Sequence, residues 1–531
     1  MSAERRANGP VVAVVGGGVS GLAAAYELTR GASPAGLTPE VVLLEASART
    51  GGTVRTERRD GFLLEAGPDS FITDKPAALE LAREIGLEPN LIGTNDEHRR
   101  AFVVRGGRLR PVPEGFQLLA PSRLWPFVTT DIFSWLAKLR IALEMFVPRR
   151  VADDADDESL AAFVRRRFGR EALERMAQPM VGGIYTADPE QLSLRATMPR
   201  FIQMEREHGS VIRALLKARR RAEADEREAA RATGNGGAAA PFVAAATPRT
   251  NDQRRPRGAD DAARGPSAAA PSRGTSGARY GLFASLDRGL QVLTDRLAGE
   301  LPPGTVRTNA RVESLTFDEI SGRWSLRLNG GETLAADAVC LALPAHASAD
   351  LLRATDPTLA SELEAIPYAS TATVNLAFRR ADIPHPLDGF GFVVPHVERR
   401  KVIACSFSSV KFAGRAPAGH ALLRAFLGGA LQPEMFRLDD DAMTAAALAD
   451  LRELLGVNAP PLFAQVSRWP RSMAQYAVGH SARMERVRAR LEQFPTLGLA
   501  GNAYTGAGIP DCIREGRTAA QQLLKAVNRE S

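Results

Sequence analysis

The stretch VVAVVGGGVSG, Val11 to Gly21, constrains the fold more than any other part of the chain. Its first five residues are an unbroken run of small and β-branched apolar side chains, the pattern of a strand buried on both faces in a parallel sheet. Glycines at 16, 18 and 21 follow at once, and LAAAYELTR then reads as a helix. The spacing has a physical reason. Gly16 permits a tight turn, Gly18 lets backbone approach a pyrophosphate, and Gly21 lets helix and strand pack closely. The N–H groups left unpaired at the helix N-terminus then face the phosphates.

A second strand, EVVLL from Glu40 to Leu44, ends on Glu45, an acidic residue placed to accept the ribose hydroxyls of an adenosine half. ASARTGG follows directly, a second glycine turn (Gly51, Gly52) carrying Arg49. A dehydrogenase that binds a nicotinamide dinucleotide needs no such turn. A cofactor whose diphosphate continues into a flavin needs another close backbone approach and a cation near the phosphates, so the pattern favours non-covalent FAD over NAD.

At 531 residues the chain is too long for one simple core, and its 44% hydrophobic residues suffice for two or three domains. No signal peptide is expected, since MSAERRANGP leads straight into the first core strand. No apolar stretch reaches the roughly 20 residues of a membrane span. Cys340, Cys405 and Cys512 lie far apart, which argues for a reducing compartment and against a zinc site or disulfide relay. The seven histidines form no ligand spacing, so no metal is expected. A net charge of +7 raises the question of nucleic acid, yet Ala218 to Ala278 holds eleven arginines against seven acidic residues, a net of +4. More than half of the excess therefore sits in one segment rich in Ala, Gly, Pro and Ser. Residues 218–279 read as a disordered insertion, and no nucleic-acid partner is expected.

Between the second glycine turn and this insertion, GFLLEAGPDS reads as a strand and turn, and Ala77 to Ile85 as a helix. Residues 100–110 read as a hairpin, and Ser122 to Leu194 as helical. Within the last, Asp131 to Val147 carries a broad apolar surface with two bulky aromatics and isolated charges. That composition fits a core helix and equally an interfacial helix lying in a membrane surface. Beyond the insertion a helix (Leu290 to Leu301) and strands from Val306 to Leu343 read as a second βαβ-like unit. Strands with a period of two at 371–378, 389–394, 402–407 and 421–427 predict a mixed sheet forming a ligand floor. Near the end, LAGNAYTGAGIPDCI is once more strand, glycine turn and helix. A helix N-terminus at Gly508 and Ile509 could stabilise negative charge on a reduced flavin.

With GGGVSGLAAAYEL, RTGGTVRT, EAGPDSF, GGIYTADPEQLS, RWP, the QY and GH that follow it, and LAGNAYTGAGIPDCI, the chain resembles the protoporphyrinogen oxidase family of the amine oxidase and phytoene desaturase superfamily. The likeness spans nearly everything outside Ala218 to Ala278. It implies an α/β fold with three domains. These are a Rossmann-like FAD domain of the amine oxidase and p-hydroxybenzoate hydroxylase type (1–72, 280–345, 475–531), a mixed-sheet substrate domain (73–100, 195–217, 346–474) and a helical membrane-facing domain (101–194).

The implied reaction is a six-electron oxidation of protoporphyrinogen IX to protoporphyrin IX with dioxygen as acceptor and hydrogen peroxide as product. Coproporphyrinogen III is the alternative substrate within the family. Flavin amine oxidation is the alternative within the superfamily, and a flavin-binding protein without turnover is the alternative outside it. No side chain need act as a strong base. The resemblance assigns Gly16, Gly18, Gly21, Glu45, Arg49, Gly51, Gly52, Val312, Trp469, Gly508 and Ile509 to the cofactor. It assigns Arg100, with Arg99 as its alternative, to a substrate propionate, and Gly183 to the opening over the flavin. Phe390 and Val393 are implied to hold the flat rings, with Phe412 and Phe426 as further wall candidates; Val393 stands where a bulkier leucine is expected. A peripheral protein on the cytoplasmic face of the membrane is expected, with a ferrochelatase partner and a homodimer as open expectations.

Overall fold

A computed structural model describes residues 9–31, 38–117, 119–150, 157–232 and 283–528. In chain order, the elements that build the site begin with β1 (Val11–Val15), α1 (Val19–Arg30), β2 (Glu40–Leu44) and β3 (Phe62–Glu65). A hairpin of β4 (Phe102–Arg105) and β5 (Arg108–Pro111) follows. Helices come next: α2 (Leu124–Thr129), α3 (Trp135–Ala142), α4 (Leu160–Arg167), α5 (Gln178–Tyr185), α6 (Pro199–His208) and α7 (Val211–Ala232). Then β6 (Val306–Arg307) and β7 (Ala338–Leu341) precede the long strands β8 (Tyr368–Arg379), β9 (Gly391–Val393), β10 (Ala404–Phe407) and β11 (His420–Gly428). The chain closes with α8 (Asp440–Leu455), β12 (Phe463–Ala474), β13 (Leu497–Leu499) and α9 (Ile509–Val527).

Five strands form a parallel sheet in the order β6-β2-β1-β7-β13. β1 lies at its centre because every residue from Val12 to Val15 is buried, as a doubly covered parallel strand requires. Helices α1 and α9 pack together on one face so closely that a Cβ on Gly516 would meet the Ser20 carbonyl oxygen at 2.1 Å. The strands expected between 311 and 337 do not extend this sheet. Val312–Asp318, Arg323–Leu328 and Thr333–Ala336 form their own antiparallel meander, because short turns join them and a parallel connection needs a crossover.

The second large sheet runs β12-β8-β11-β10-β9-β4-β5, antiparallel except where β9 meets β4. One face packs on α8 in an apolar core containing Val374, Phe392, Leu423 and Leu451. β4 and β5 complete one end of this sheet, with β5 at its edge, so the boundary expected at residues 100 and 101 cuts through it. The helices α4, α6 and α7 hold together through a buried ion cluster, which places 199–217 with the helical layer rather than with the sheet.

Two expectations change along the helical region. The insertion does not start at 218: α7 continues to Ala232, carried by good helix formers and an Arg219–Glu223 pair one turn apart. Residues 233–279 of that expectation lie outside the described residues. The stretch from Asp131 to Val147 is not one core helix either. Ser134 caps α3 by accepting from Ala137 N–H, and the chain tightens into a 3₁₀ turn from Leu143 to Phe146. Its large apolar residues face outward, with Trp135, Leu136 and Phe146 exposed. Among the described residues no helix is long and apolar enough to cross a membrane.

Candidate active site

The first glycine turn has the geometry its spacing predicts. Gly16 has φ +104°, and a Cβ there would lie 2.5 Å from the Ala342 carbonyl oxygen. A Cβ on Gly21 would lie 1.8 Å from the Gly16 oxygen, so helix and turn touch through backbone alone. Gly18 differs. It caps α1 in an extended conformation, and no atom lies within 4 Å of where its Cβ would be. The first intrahelical bond of α1 runs from Leu22 to Gly18, which leaves the N–H groups before it facing that space. An open cradle beside a twelve-residue helix N-terminus has the shape and the dipole to receive an anion.

Glu45 ends β2 against this turn. Its Oε2 accepts from Gly17 N–H at 2.7 Å, and its Oε1 accepts from the Ser47 N–H and hydroxyl. One lone pair of Oε2 remains for a ribose hydroxyl. The second turn lies against the first: Gly51 N–H donates to the Gly17 oxygen at 2.8 Å, and a Cβ on Gly52 would stand 3.2 Å from Gly18 Cα. Arg49 braces the second turn. Nη1 donates to the carbonyls of Thr50 and Val54 and Nη2 to that of Gly52, so Arg49 holds the turn's shape with three of its five donors. Val312 lies two residues past Ala310, whose N–H donates to the Glu45 carbonyl.

The cradle continues toward the sheet. A Cβ on Gly67 would overlap the Thr53 oxygen and lie 3.7 Å from Trp469, whose indole N–H donates to the Ala66 carbonyl at 2.8 Å. The end of the chain closes the other side, because the hypothetical Cβ atoms of Gly16 and Gly501 would both contact Leu343. Gly508 caps the N-terminus of α9 and Ile509 opens it. Asp511, in the first turn of α9, is buried and pairs with Lys75 at 2.6 Å and Arg514 at 3.0 Å.

The remaining face of the second sheet, opposite α8, forms the floor. Its registers set two rows of side chains on this face: Val393, Ala404, Phe426, Thr373 and Ser467, then Gly391, Ser406, Arg424, Asn375 and Gln465. Helix α5 brings Gly183 over this floor, where an added Cβ would be 3.4 Å from Val393 Cγ1. Gly183, Val393 and Phe426 all keep open surface. Phe390 is buried where the backbone joins Arg100 and Phe407. Phe412 is only 1% exposed between Lys411 and Arg415, so a ligand reaches its ring only if that segment moves. Arg100 pairs with Asp388 at 3.0 Å and is half exposed; Arg99 pairs with Asp96.

Sequence reading missed the buried charges joining floor and cradle. Thr373, Asn375, Arg424 and Trp469 all donate to the carbonyls of residues 65–67, clamping this segment to the sheet. Asp69 accepts from Lys411 at 3.0 Å on both oxygens. Burial alone would raise the Asp69 carboxyl, but Lys411 and Arg424 outweigh it and hold it far below the usual carboxylate range. Burial pushes the Glu65 carboxyl up. The signal was present as Asn375 and Arg424 inside apolar strands, where a polar side chain needs a reason.

Comparison with known proteins matches the model described as flavin containing amine oxidoreductase over residues 19–524. The coproporphyrinogen III oxidase of Propionibacterium freudenreichii is 38% identical, with 97% of this chain and 90% of that protein covered. The coproporphyrinogen III oxidase of Bacillus subtilis is 31% identical, with 97% of each covered. A solved structure from Exiguobacterium sp., named for protoporphyrinogen oxidase, superposes with a TM-score of 0.76 at 29% identity, covering 98% of this chain and 99% of that one.

Proposed function

The chain belongs to the flavin-containing amine oxidoreductase family, and from that premise we propose that it is an FAD-dependent porphyrinogen oxidase whose preferred substrate is coproporphyrinogen III. The observation that carries the preference is the identity of the bacterial relatives, three of them coproporphyrinogen III oxidases at 38%, 31% and 29%. Protoporphyrinogen IX is the second reading, favoured by plant protoporphyrinogen oxidases at 27–28% identity.

The open cradle at Gly18 fits the FAD pyrophosphate, and Glu45 Oε2 fits a ribose hydroxyl. When bound, FAD supplies the two-electron acceptor. Gly51 and Gly52 admit the diphosphate, while Trp469 and Gly67 fix the backbone that leads to the floor. Gly183, Val393 and Phe426 hold the macrocycle by apolar contact and keep water from it, and Arg100 meets a propionate where Asp388 now sits. One porphyrinogen and three dioxygen molecules give one porphyrin and three hydrogen peroxide molecules.

The test is aerobic turnover of FAD-loaded protein with coproporphyrinogen III beside protoporphyrinogen IX, followed by porphyrin fluorescence against an enzyme-free control. A higher kcat/KM for the first is expected. A higher value for protoporphyrinogen IX reverses the substrate order, and no turnover of either sinks the reading.

The same reading includes peripheral membrane contact. Trp125, Trp135, Leu136 and Phe146 stand out from α2, α3 and the turn after it, with Trp125 76% exposed. Lys138 lies 4.2 Å from the Trp135 ring and Arg213 lies over Phe146, so cations flank the apolar surface. Burying a large apolar side chain contributes about 1.5–3 kcal/mol. Replacing Trp125 and Trp135 by serine is expected to lower co-sedimentation with anionic vesicles by roughly tenfold or more per residue. Equal sedimentation of wild type and variant would remove this surface from consideration.

A further inference from the structure

Arg424 is a buried cation with unfilled donors beside the proposed site. It lies in β11 in the middle of an apolar run, is 3% exposed, and faces the floor rather than the α8 core. Its Nη2 donates to the Gly67 carbonyl, and its guanidinium carbon lies 4.7 Å from the centre of the Phe426 ring. Among the described residues, neither Nε nor Nη1 has a hydrogen-bond partner.

The nearby carboxylates are already engaged. Both oxygens of Asp69 accept from Lys411, and those of Glu65 accept from the Thr56 hydroxyl and the Leu290 N–H. Arg415 satisfies itself on Ser285 and the carbonyls of residues 286 and 287. Asp69 and Glu65 act on Arg424 through space and Asp287 also acts on Arg415, yet none of these carboxylates fills the Arg424 donors. A buried guanidinium with two unfilled donors is unfavourable even with the charges of Asp69 and Glu65 acting on it through space, and such donors call for a further acceptor.

The floor geometry says where that acceptor comes from. The Arg424 row is adjacent, on the same face, to the row containing Val393 and Phe426, over which Gly183 stands. We propose that Arg424 is a carboxylate-binding residue of the substrate floor, taking a propionate of the porphyrinogen through the donors of Nε and Nη1, which the side chains over them uncover as the carboxylate enters. This rests on the porphyrinogen reading above and adds a determinant of choice within it. Coproporphyrinogen III carries four propionates, and protoporphyrinogen IX has vinyl groups in place of two of them. A cation that meets one of those two positions favours the tetracarboxylate and leaves the dicarboxylate to bind without it.

The test compares wild type with Arg424→Gln, which keeps a donor for the Gly67 carbonyl, and Arg424→Lys, which keeps the charge. KM and kcat are measured with both porphyrinogens, together with FAD content and the flavin absorption spectrum. Arg424→Gln is expected to raise KM for coproporphyrinogen III by about 10- to 100-fold, the scale of a hydrogen bond to a charged group. KM for protoporphyrinogen IX stays within a fewfold, and Arg424→Lys recovers part of the loss. Equal losses on both substrates would overturn the proposal in favour of a structural clamp. Altered FAD content or spectrum would overturn it in favour of a cofactor contact.

Titrating each protein with coproporphyrin III and its tetramethyl ester, read by flavin absorbance, decides the matter independently of turnover. Tighter binding of the acid that is lost in Arg424→Gln supports the proposal, even if wild type oxidises neither porphyrinogen and the activity reading fails. Equal binding of acid and ester by wild type overturns it.

Discussion

Gly18→Ala and Gly21→Ala are expected to damage cofactor binding in two distinguishable ways. At Gly18 the backbone is extended, and nothing in the protein lies within 4 Å of the new methyl group. The apoprotein should therefore fold with unchanged stability. The methyl group instead enters the open space before the α1 N-terminus, where the FAD pyrophosphate is proposed to sit. Overpacking of about 1–3 kcal/mol would weaken FAD by roughly 5- to 150-fold. At Gly21 the methyl group would stand 1.8 Å from the Gly16 oxygen, which is backbone and cannot rotate aside. Helix α1 must then move off the turn, so stability of the apoprotein and FAD affinity fall together. Thermal melts of apoprotein with flavin titration separate the two. A destabilised Gly18→Ala apoprotein, or one that binds FAD as wild type does, would remove the pyrophosphate from this cradle.

Arg167→Met is expected to be the most destabilising single substitution in the helical layer. Arg167 and Glu144 are both 0% exposed, joined by Nε to Oε1 at 2.6 Å, and Arg167 also reaches Glu205 at 2.7 Å and the Gly209 carbonyl at 2.8 Å. Glu144 in turn accepts from the N–H groups of Val211 and Ile212, capping α7. One ion cluster thus ties α4, α6 and α7 to the turn after α3. Removing the arginine leaves two buried carboxylates short of a partner, at a cost of about 3–5 kcal/mol. Adding Glu144→Leu should return part of that loss, because an apolar pair spares the desolvation that a lone carboxylate suffers. Urea unfolding of the three variants checks this. A double variant that loses the sum of both single losses would show the residues acting independently.

The glycine turns, Glu45 and the last helix were legible because local spacing imposes them. A strand followed by Gly16, Gly18 and Gly21 has few conformations open to it, and the structure places Gly51 and Gly52 directly against them. Strand alternation likewise marked β8 to β11 to within a few residues. The outward face of 131–147 was not legible. The same apolar pattern fits a buried helix and an exposed one, and only its neighbours decide which. The helical start of the expected insertion was missed because a composition rich in Ala and Arg suits both a solvated helix and an unstructured segment.

Arg49 and Phe412 show the same division on the scale of single residues. The residue types suit a phosphate and a flat ring, and the structure adds what the sequence did not show: Arg49 braces three carbonyls of its own turn, and Phe412 lies between two cations. By itself the sequence determined the paired glycine turns, the family and the existence of a second sheet, since these follow from backbone freedom and the alternation of side chains along one segment. Only the tertiary structure decided which charges meet between floor and cradle. Glu65, Asp69, Lys411 and Arg424 are separated by hundreds of residues across that interface, and the partner of a buried charge is set by packing rather than by sequence neighbours.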